Sequence, residues 1–180
     1  NFVPQMVEQI ASAWKKRGNN PFELQILAPM YKGMAGINAM NVLLQNLFNP
    51  LNDRLEFALG DMKFREGDKV LHLVNDAEAN VFNGDLGQIV ELIAAKYTDS
   101  KQDELVMDFD GQELTYPRAE WYKITLAYAM SIHKSQGSEF STVIVPMVSS
   151  YSRMLERNLL YTAITRAKQS LILLGEERAF

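Results

Sequence analysis

The 180-residue chain contains no cysteine, which excludes disulfide scaffolds and thiolate metal sites. Its only two histidines, His72 and His133, are too few for a histidine-rich metal centre. No stretch approaches the roughly 20 apolar residues that cross a bilayer; the longest, "STVIVPMV" and "SLILLG", are strand-sized, and no membrane partner is expected. A basic excess is also missing, since the net charge is −4. A nucleic-acid binder working through bulk charge would be basic, so any polyanion site here has to be a local arrangement. The sequence holds no G-x-x-x-x-G-K-[ST] loop, and no apolar strand ends in an acidic pair suited to magnesium. A nucleotide hydrolase would therefore draw both parts from elsewhere. No internal repeat, low-complexity tract or signal peptide is visible. A chain opening on Asn1 reads as a piece of something longer, and the lack of cysteine fits a reducing, cytoplasmic setting.

What is present divides into two textures. Val3, Met6, Val7, Ile10 and Trp14 follow helical spacing, ended by Gly18 and Asn19-Asn20-Pro21, with Lys15, Lys16 and Arg17 placed to complement the helix dipole. "LQILAP" (24–29) reads as a buried strand, "MYKGMAG" as a turn, and Ile37 to Phe48 as an amphipathic helix. From about Phe64 to Arg118, short β runs alternate with turn signals, including the hairpin-type dipeptides Asn83-Gly84 and Asp110-Gly111. That is the pattern of a small barrel or sandwich. After it, "KITLAYAM" reads as a strand, "SIHKSQG" as a short turn or helix, and "STVIVPMV" as a buried strand. A helix carries Met154, Leu155, Leu159, Tyr161, Thr162, Ala163 and Ile164, and "QSLILLG" closes as a strand. Strands alternating with helices predict an α/β fold with a mainly parallel sheet covered by helices on both faces.

The stretch "SIHKSQGSEF" (131–140) concentrates polar chemistry at the exit of one buried strand and the entry of another. Ligands of open α/β sheets gather at the carboxyl ends of strands, and "MYKGMAG" leaves such an end too, so the two loops are expected on one sheet edge. His133 and Lys134 suit phosphates, and Ser131 and Ser135 offer hydroxyl donors. Gly137 permits close backbone approach, Gln136 suits a base, a ribose or a neighbouring loop, and Glu139 suits a ribose hydroxyl. The alternative is a solvated loop capped by Ser131. Arg166, late in the last helix, is placed either as an arginine finger on a transferring phosphate or, with Lys168, as a charge on the helix dipole. Lys32 is either a phosphate contact or a solvated turn lysine. His72 reads as structural, Trp14 and Trp121 as packing residues, and Tyr151 as a base-stacking candidate or an ordinary tyrosine.

These motifs resemble those of superfamily 1B DNA helicases. "LAYAMSIHKSQGSEF" resembles their motif V and "NLLYTAITRAK" their motif VI. "QILAPMYKGMAGINAMN" is similar to motif IV of the RecD-like branch, and "FREGDKVLHLVND…VFNGDLGQIVEL" to the SH3-like insert of that branch. The resemblance covers essentially the whole chain. It implies the second RecA-like motor domain (1–63 and 119–180) with an inserted small SH3-like β-barrel (64–118). ATP and Mg2+ would be bound mainly by a first RecA-like domain of the same polypeptide. It also implies that Arg166 reaches the γ-phosphate, that Gly137, Glu139, Gln136 and Lys32 lie near the nucleotide, and that Ser131, His133, Lys134 and Ser135 lie along the single-stranded DNA backbone. The expected activity is ATP-driven 5′-to-3′ translocation on single strands and unwinding at single-strand/duplex junctions, with the present chain inactive alone. Two other readings stand beside it: a non-catalytic adaptor module, and the motor domain of a conjugative relaxase-helicase.

Overall fold

The computed structural model describes residues 2–149 and 157–175. The chain divides into two compact units, one formed by 1–48 and 128–180 and the other by 49–127.

The first unit opens with α1 (Val3–Lys16), whose Val3, Val7 and Ala11 are buried at helical spacing. Lys15 Nζ donates to Leu47 O at 2.9 Å, placing its charge on the last turn of α2 (Ile37–Phe48), where exposed carbonyls attract a cation. Strand β1 (Leu24–Ala28) is buried along its whole length, as a central parallel strand must be.

The second unit begins with a hairpin, β2 (Glu56–Leu59) and β3 (Met62–Arg65). It continues through β4 (Lys69–His72), β5 (Leu86–Ile93), β6 (Glu104–Phe109), β7 (Gln112–Pro117) and β8 (Ile124–Leu126). The last five form one antiparallel sheet in the order β7-β6-β5-β4-β8. Asp110 and Gly111, both at positive φ, make the two-residue loop that pairs Phe109 with Gln112, as the sequence indicates. Asn83-Gly84 differs: it is a turn inside the long 73–85 connection between β4 and β5 and closes no tight hairpin. Trp121 is fully buried, stacks on Phe57 at 5.7 Å and meets Phe64 edge-on at 6.1 Å, while its indole N–H donates to Tyr116 O. His72 is also fully buried. Its Nδ1 donates to Val74 O at 2.7 Å, since a carbonyl only accepts, and its Nε2 lies 2.8 Å from the Tyr116 hydroxyl. The packing roles expected of Trp121 and His72 match this geometry. Phe57 and Phe64 also explain why the unit begins ahead of residue 64: they bind the β2–β3 hairpin to the Trp121 core.

The chain returns to the first unit through β9 (Ala129–Ser131), β10 (Phe140–Met147), α3 (Arg157–Ile164) and β11 (Ala167–Gly175). These strands form an all-parallel sheet in the order β11-β10-β1-β9. "KITLAYAM", expected as one strand, is two strands in two sheets. Leu126 pairs with Val70 on β4, and Ala129 pairs with Ile26 on β1. The expected helical positions Met154 and Leu155, and Tyr151, lie outside the described residues. Among those described, no helix is long and apolar enough to cross a membrane.

Charge is split between the units. Residues 49–127 carry eight Lys/Arg and sixteen Asp/Glu, a net −8, whereas the rest of the chain carries ten and six, a net +4.

Candidate functional site

The register of the parallel sheet gives it two distinct ends. At the carboxyl end, Ala28 of β1 lies beside Ser131 of β9. At the amino end, Leu24 of β1 lies beside Thr142 of β10, and Phe140 lies beside Ala167 of β11. The segment 132–139 leaves β9 at the carboxyl end and enters β10 at the amino end, with β1 between those two strands. It therefore runs from one end of the sheet to the other, a distance of about 13 Å for the five residues of β1.

Its first half is a compact turn. Ser131 Oγ accepts from Lys134 N at 3.2 Å, and a 3-10 turn covers His133–Ser135. Ser135 was expected among the hydroxyls facing a DNA backbone. Instead it is fully buried, and its Oγ donates to Ile132 O at 2.5 Å, so its hydroxyl staples the turn from inside. His133 is exposed, and Ser131 and Lys134 are half-buried. Gln136 and Gly137 are exposed midway along the segment. Gly137 takes φ +83° with no atom within 4 Å of where a Cβ would stand, so glycine is used there for its conformation and not for room.

The second half meets Arg166. The sequence places Arg166 late in a helix, but α3 stops at Ile164, and Arg166 sits in the closing turn, its N–H donating to Ala163 O. Phe140 N donates to Arg166 O at 2.9 Å. The guanidinium reaches back over the 131–140 segment, with Nη1 donating to Ser138 O at 3.3 Å and Nη2 to Thr165 Oγ1 at 3.2 Å. Both contacts are long for charged donors. Nε is buried without a hydrogen-bond partner, and among the described residues Arg166 makes no ion pair. A cation held this way is suited to an anion arriving from outside. Glu139, which follows Ser138 in the chain, is exposed. Glu23 accepts from both the N–H and the hydroxyl of Ser141 at 2.9 Å, fixing the start of β10.

Lys32 does not join this group. It follows β1 at the carboxyl end, on the same edge as Ser131, and thus at the opposite end of the sheet from Arg166 and Glu139. The sequence grouped it with the nucleotide residues because strand order, and so the direction in which 132–139 crosses, is invisible in a linear chain. Two residues that the sequence reading missed fix the start of β9 against its neighbours. The buried Asn41 side chain accepts from Ala129 N at 2.8 Å and donates to Ala129 O at 3.1 Å, pairing the outer edge of β9 as a neighbouring strand would. Gln25 Nε2, also buried, donates to Ile26 O and Tyr128 O at 3.1 Å each. Polar residues inside otherwise apolar elements were the available signal for both.

Among the described residues, no cluster of three or more His, Asp or Glu side chains could hold a metal ion. The site thus offers an unpaired guanidinium and a carboxylate at one end, and hydroxyl, imidazole and ammonium groups at the other.

Residues 126–174 match the UvrD-like helicase C-terminal domain, and residues 40–109 match the ATP-dependent RecD-like DNA helicase SH3 domain. The chain is 37% identical over 160 residues to the ATP-dependent RecD2 DNA helicase of Deinococcus radiodurans, covering 89% of this chain and 21% of that protein. It is 36% identical over 111 residues to the RecBCD enzyme subunit RecD of Mycobacterium tuberculosis, covering 62% of this chain and 18% of that one. The fold is similar to that of the Pif1 helicase from Candida albicans, with a TM-score of 0.59 at 18% identity, covering 87% of this chain and 46% of that one. The chain thus spans about a fifth of the length of the curated relatives it matches. Two domain types thus meet in one chain, an ATP-dependent RecD-like DNA helicase SH3 domain followed by a UvrD-like helicase C-terminal domain.

Proposed function

We propose that the first unit of this chain is the second motor domain of an ATP-dependent 5′-to-3′ DNA helicase, and that the 131–140 segment couples its fuel to its track. The observation that supports this reading is that one segment of ten residues touches Arg166 at one sheet end and carries Ser131, His133 and Lys134 at the other. A first RecA-like domain of the same polypeptide supplies the triphosphate cradle and the Mg2+ ligands. ATP, when bound there, supplies the phosphoryl transfer that drives the cycle. Arg166 offers its guanidinium to the charge that develops on the transferring phosphate. Gly137 and Glu139 line the nucleotide side, with Gln136 between the two ends. Ser131, His133, Lys134 and Lys32 hold the single-strand backbone, and the net +4 of this unit favours that polyanion. The unit 49–127, which holds the SH3-like β-barrel expected over 64–118, is net acidic, so the track runs over the α/β unit. Single-strand/duplex junctions are the substrate class.

The test uses the intact protein. Arg166→Ala is expected to lower DNA-stimulated ATP turnover by roughly 10³-fold or more while single-strand affinity is kept. His133→Ala with Lys134→Ala is expected to do the reverse, weakening strand binding and its salt dependence. Undiminished ATP turnover in Arg166→Ala overturns the proposal. Unchanged strand affinity and translocation in the double variant would favour the adaptor reading.

A further inference from the structure

The β1–α2 loop presents an aromatic ring that no packing explains. Tyr31 is 54% exposed and Met34 59% exposed, and they flank exposed Lys32. The Tyr31 hydroxyl makes no hydrogen bond, and Lys32 makes no ion pair, among the described residues.

The loop that carries them is closed tightly. Ile37 N donates to Met30 O at 2.9 Å, Asn38 N to Tyr31 O at 3.1 Å, and Gly36 N to Gly33 O at 3.1 Å. A Cβ on Gly36 would stand 2.3 Å from Lys32 O and 2.7 Å from Tyr31 O, so only glycine allows this closure. The amides of Ile37 and Asn38 at the start of α2 are used inside the loop, while the side chains of Tyr31, Lys32 and Met34 are exposed. Asn41, one turn further along α2, ties the helix to β9. The ring is therefore displayed on a preorganised loop at the carboxyl end of the sheet, where Ala28 and Ser131 lie side by side.

We infer that Tyr31 is a stacking platform for a nucleobase of the bound single strand, with Lys32 on the adjacent phosphate. This rests on the proposed function and adds a base contact to its backbone contacts. An exposed ring held in place loses little entropy on binding, and stacking tolerates any sequence because every base has a π-face, as a translocating motor requires. Met34 widens the apolar surface beside the ring.

The experiment is a cycle between protein and strand, in the intact protein without nucleotide. Affinities are measured for an oligothymidylate 15-mer and for an abasic 15-mer of the same backbone. Wild type is expected to prefer the base-bearing strand. Tyr31→Ala is expected to reduce that preference by about five- to a hundredfold, the range of one base–aromatic contact. Tyr31→Phe should restore it, because the ring and not the hydroxyl carries the contact. Lys32→Ala is expected to weaken both strands alike and to lower the salt slope. An unchanged preference in Tyr31→Ala, or a failure of Tyr31→Phe to restore it, overturns the inference while leaving the helicase reading in place. Failure of wild type to bind either strand removes the helicase reading, and this inference falls with it.

Discussion

Asn41→Leu is the most direct probe of how the site is held. The Asn41 amide accepts from Ala129 N and donates to Ala129 O, and both residues are buried, at 6% and 1% exposure. Leucine keeps the size of the position and raises its helix propensity, but leaves an amide and a carbonyl of β9 without these partners. Each such group costs about 1–3 kcal/mol, so the variant should lose about 2–6 kcal/mol. That is a large part of the ~5–15 kcal/mol that holds a typical domain. With a urea slope of about 2 kcal/mol/M and a loss of about 4 kcal/mol, the middle of that range, the midpoint should fall by about 2 M. The control is Asn38→Leu, the same chemical change at an exposed position of α2. Urea unfolding followed by circular dichroism reads the global loss, and hydrogen exchange at the Ala129 amide reads the local one. The reasoning is refuted if Asn41→Leu and Asn38→Leu share a midpoint and the Ala129 amide stays protected. If it holds, the variant in the intact protein should also lose single-strand affinity, since Ser131 sits two residues beyond Ala129.

Burial pushes the Tyr116 hydroxyl above its ordinary 10.0, and the hydrogen bond that Lys123 donates to Glu120 raises Lys123 above 10.5. Both groups hold their protons more tightly when folded, so their contribution is complete below about pH 10 and is lost as the pH climbs through the raised values. Circular dichroism and tyrosinate absorbance between pH 9 and 12 should show the β unit weakening in that window, and a flat profile would refute this. Tyr116→Phe should leave His72 Nε2 without its 2.8 Å partner and cost about 1–3 kcal/mol at neutral pH, read by chemical denaturation. Gly137→Ala forces a left-handed residue at about 1–2 kcal/mol with no steric clash. It should therefore spare the fold and reduce the stimulation of ATP turnover by DNA in the intact protein; full stimulation would argue against coupling through this segment.

The helical spacing of Val3, Met6, Val7, Ile10 and Trp14, the apolar run "STVIVPMV" and the Asp110-Gly111 dipeptide were legible because local physics decides them. What lay beyond the sequence was decided between segments. "KITLAYAM" is one uninterrupted apolar stretch, and only the competing edges of β4 and β1 divide it at Ala127–Tyr128. Ser135 looks like any exposed hydroxyl until the 3-10 turn directs it inward to Ile132 O. Lys32 and Arg166 appeared to belong together because a linear chain gives no strand order, and the order β10-β1-β9 places them at opposite ends. The β2–β3 hairpin joined the second unit because Phe57 and Phe64 found Trp121, a pairing across some sixty residues that no local pattern encodes.

The 132–139 crossing is anchored at both ends, because Ser131 is registered against Ala28 and Phe140 against Ala167. Its length is taken up by the compact turn at His133–Ser135, so the direction in which its middle residues face depends on their number. Removing or adding one residue between Gln136 and Glu139 would leave both strands seated yet turn Gly137 and Ser138 to new directions, so on the proposed coupling the intact protein should still bind single strands while DNA no longer stimulates its ATP turnover.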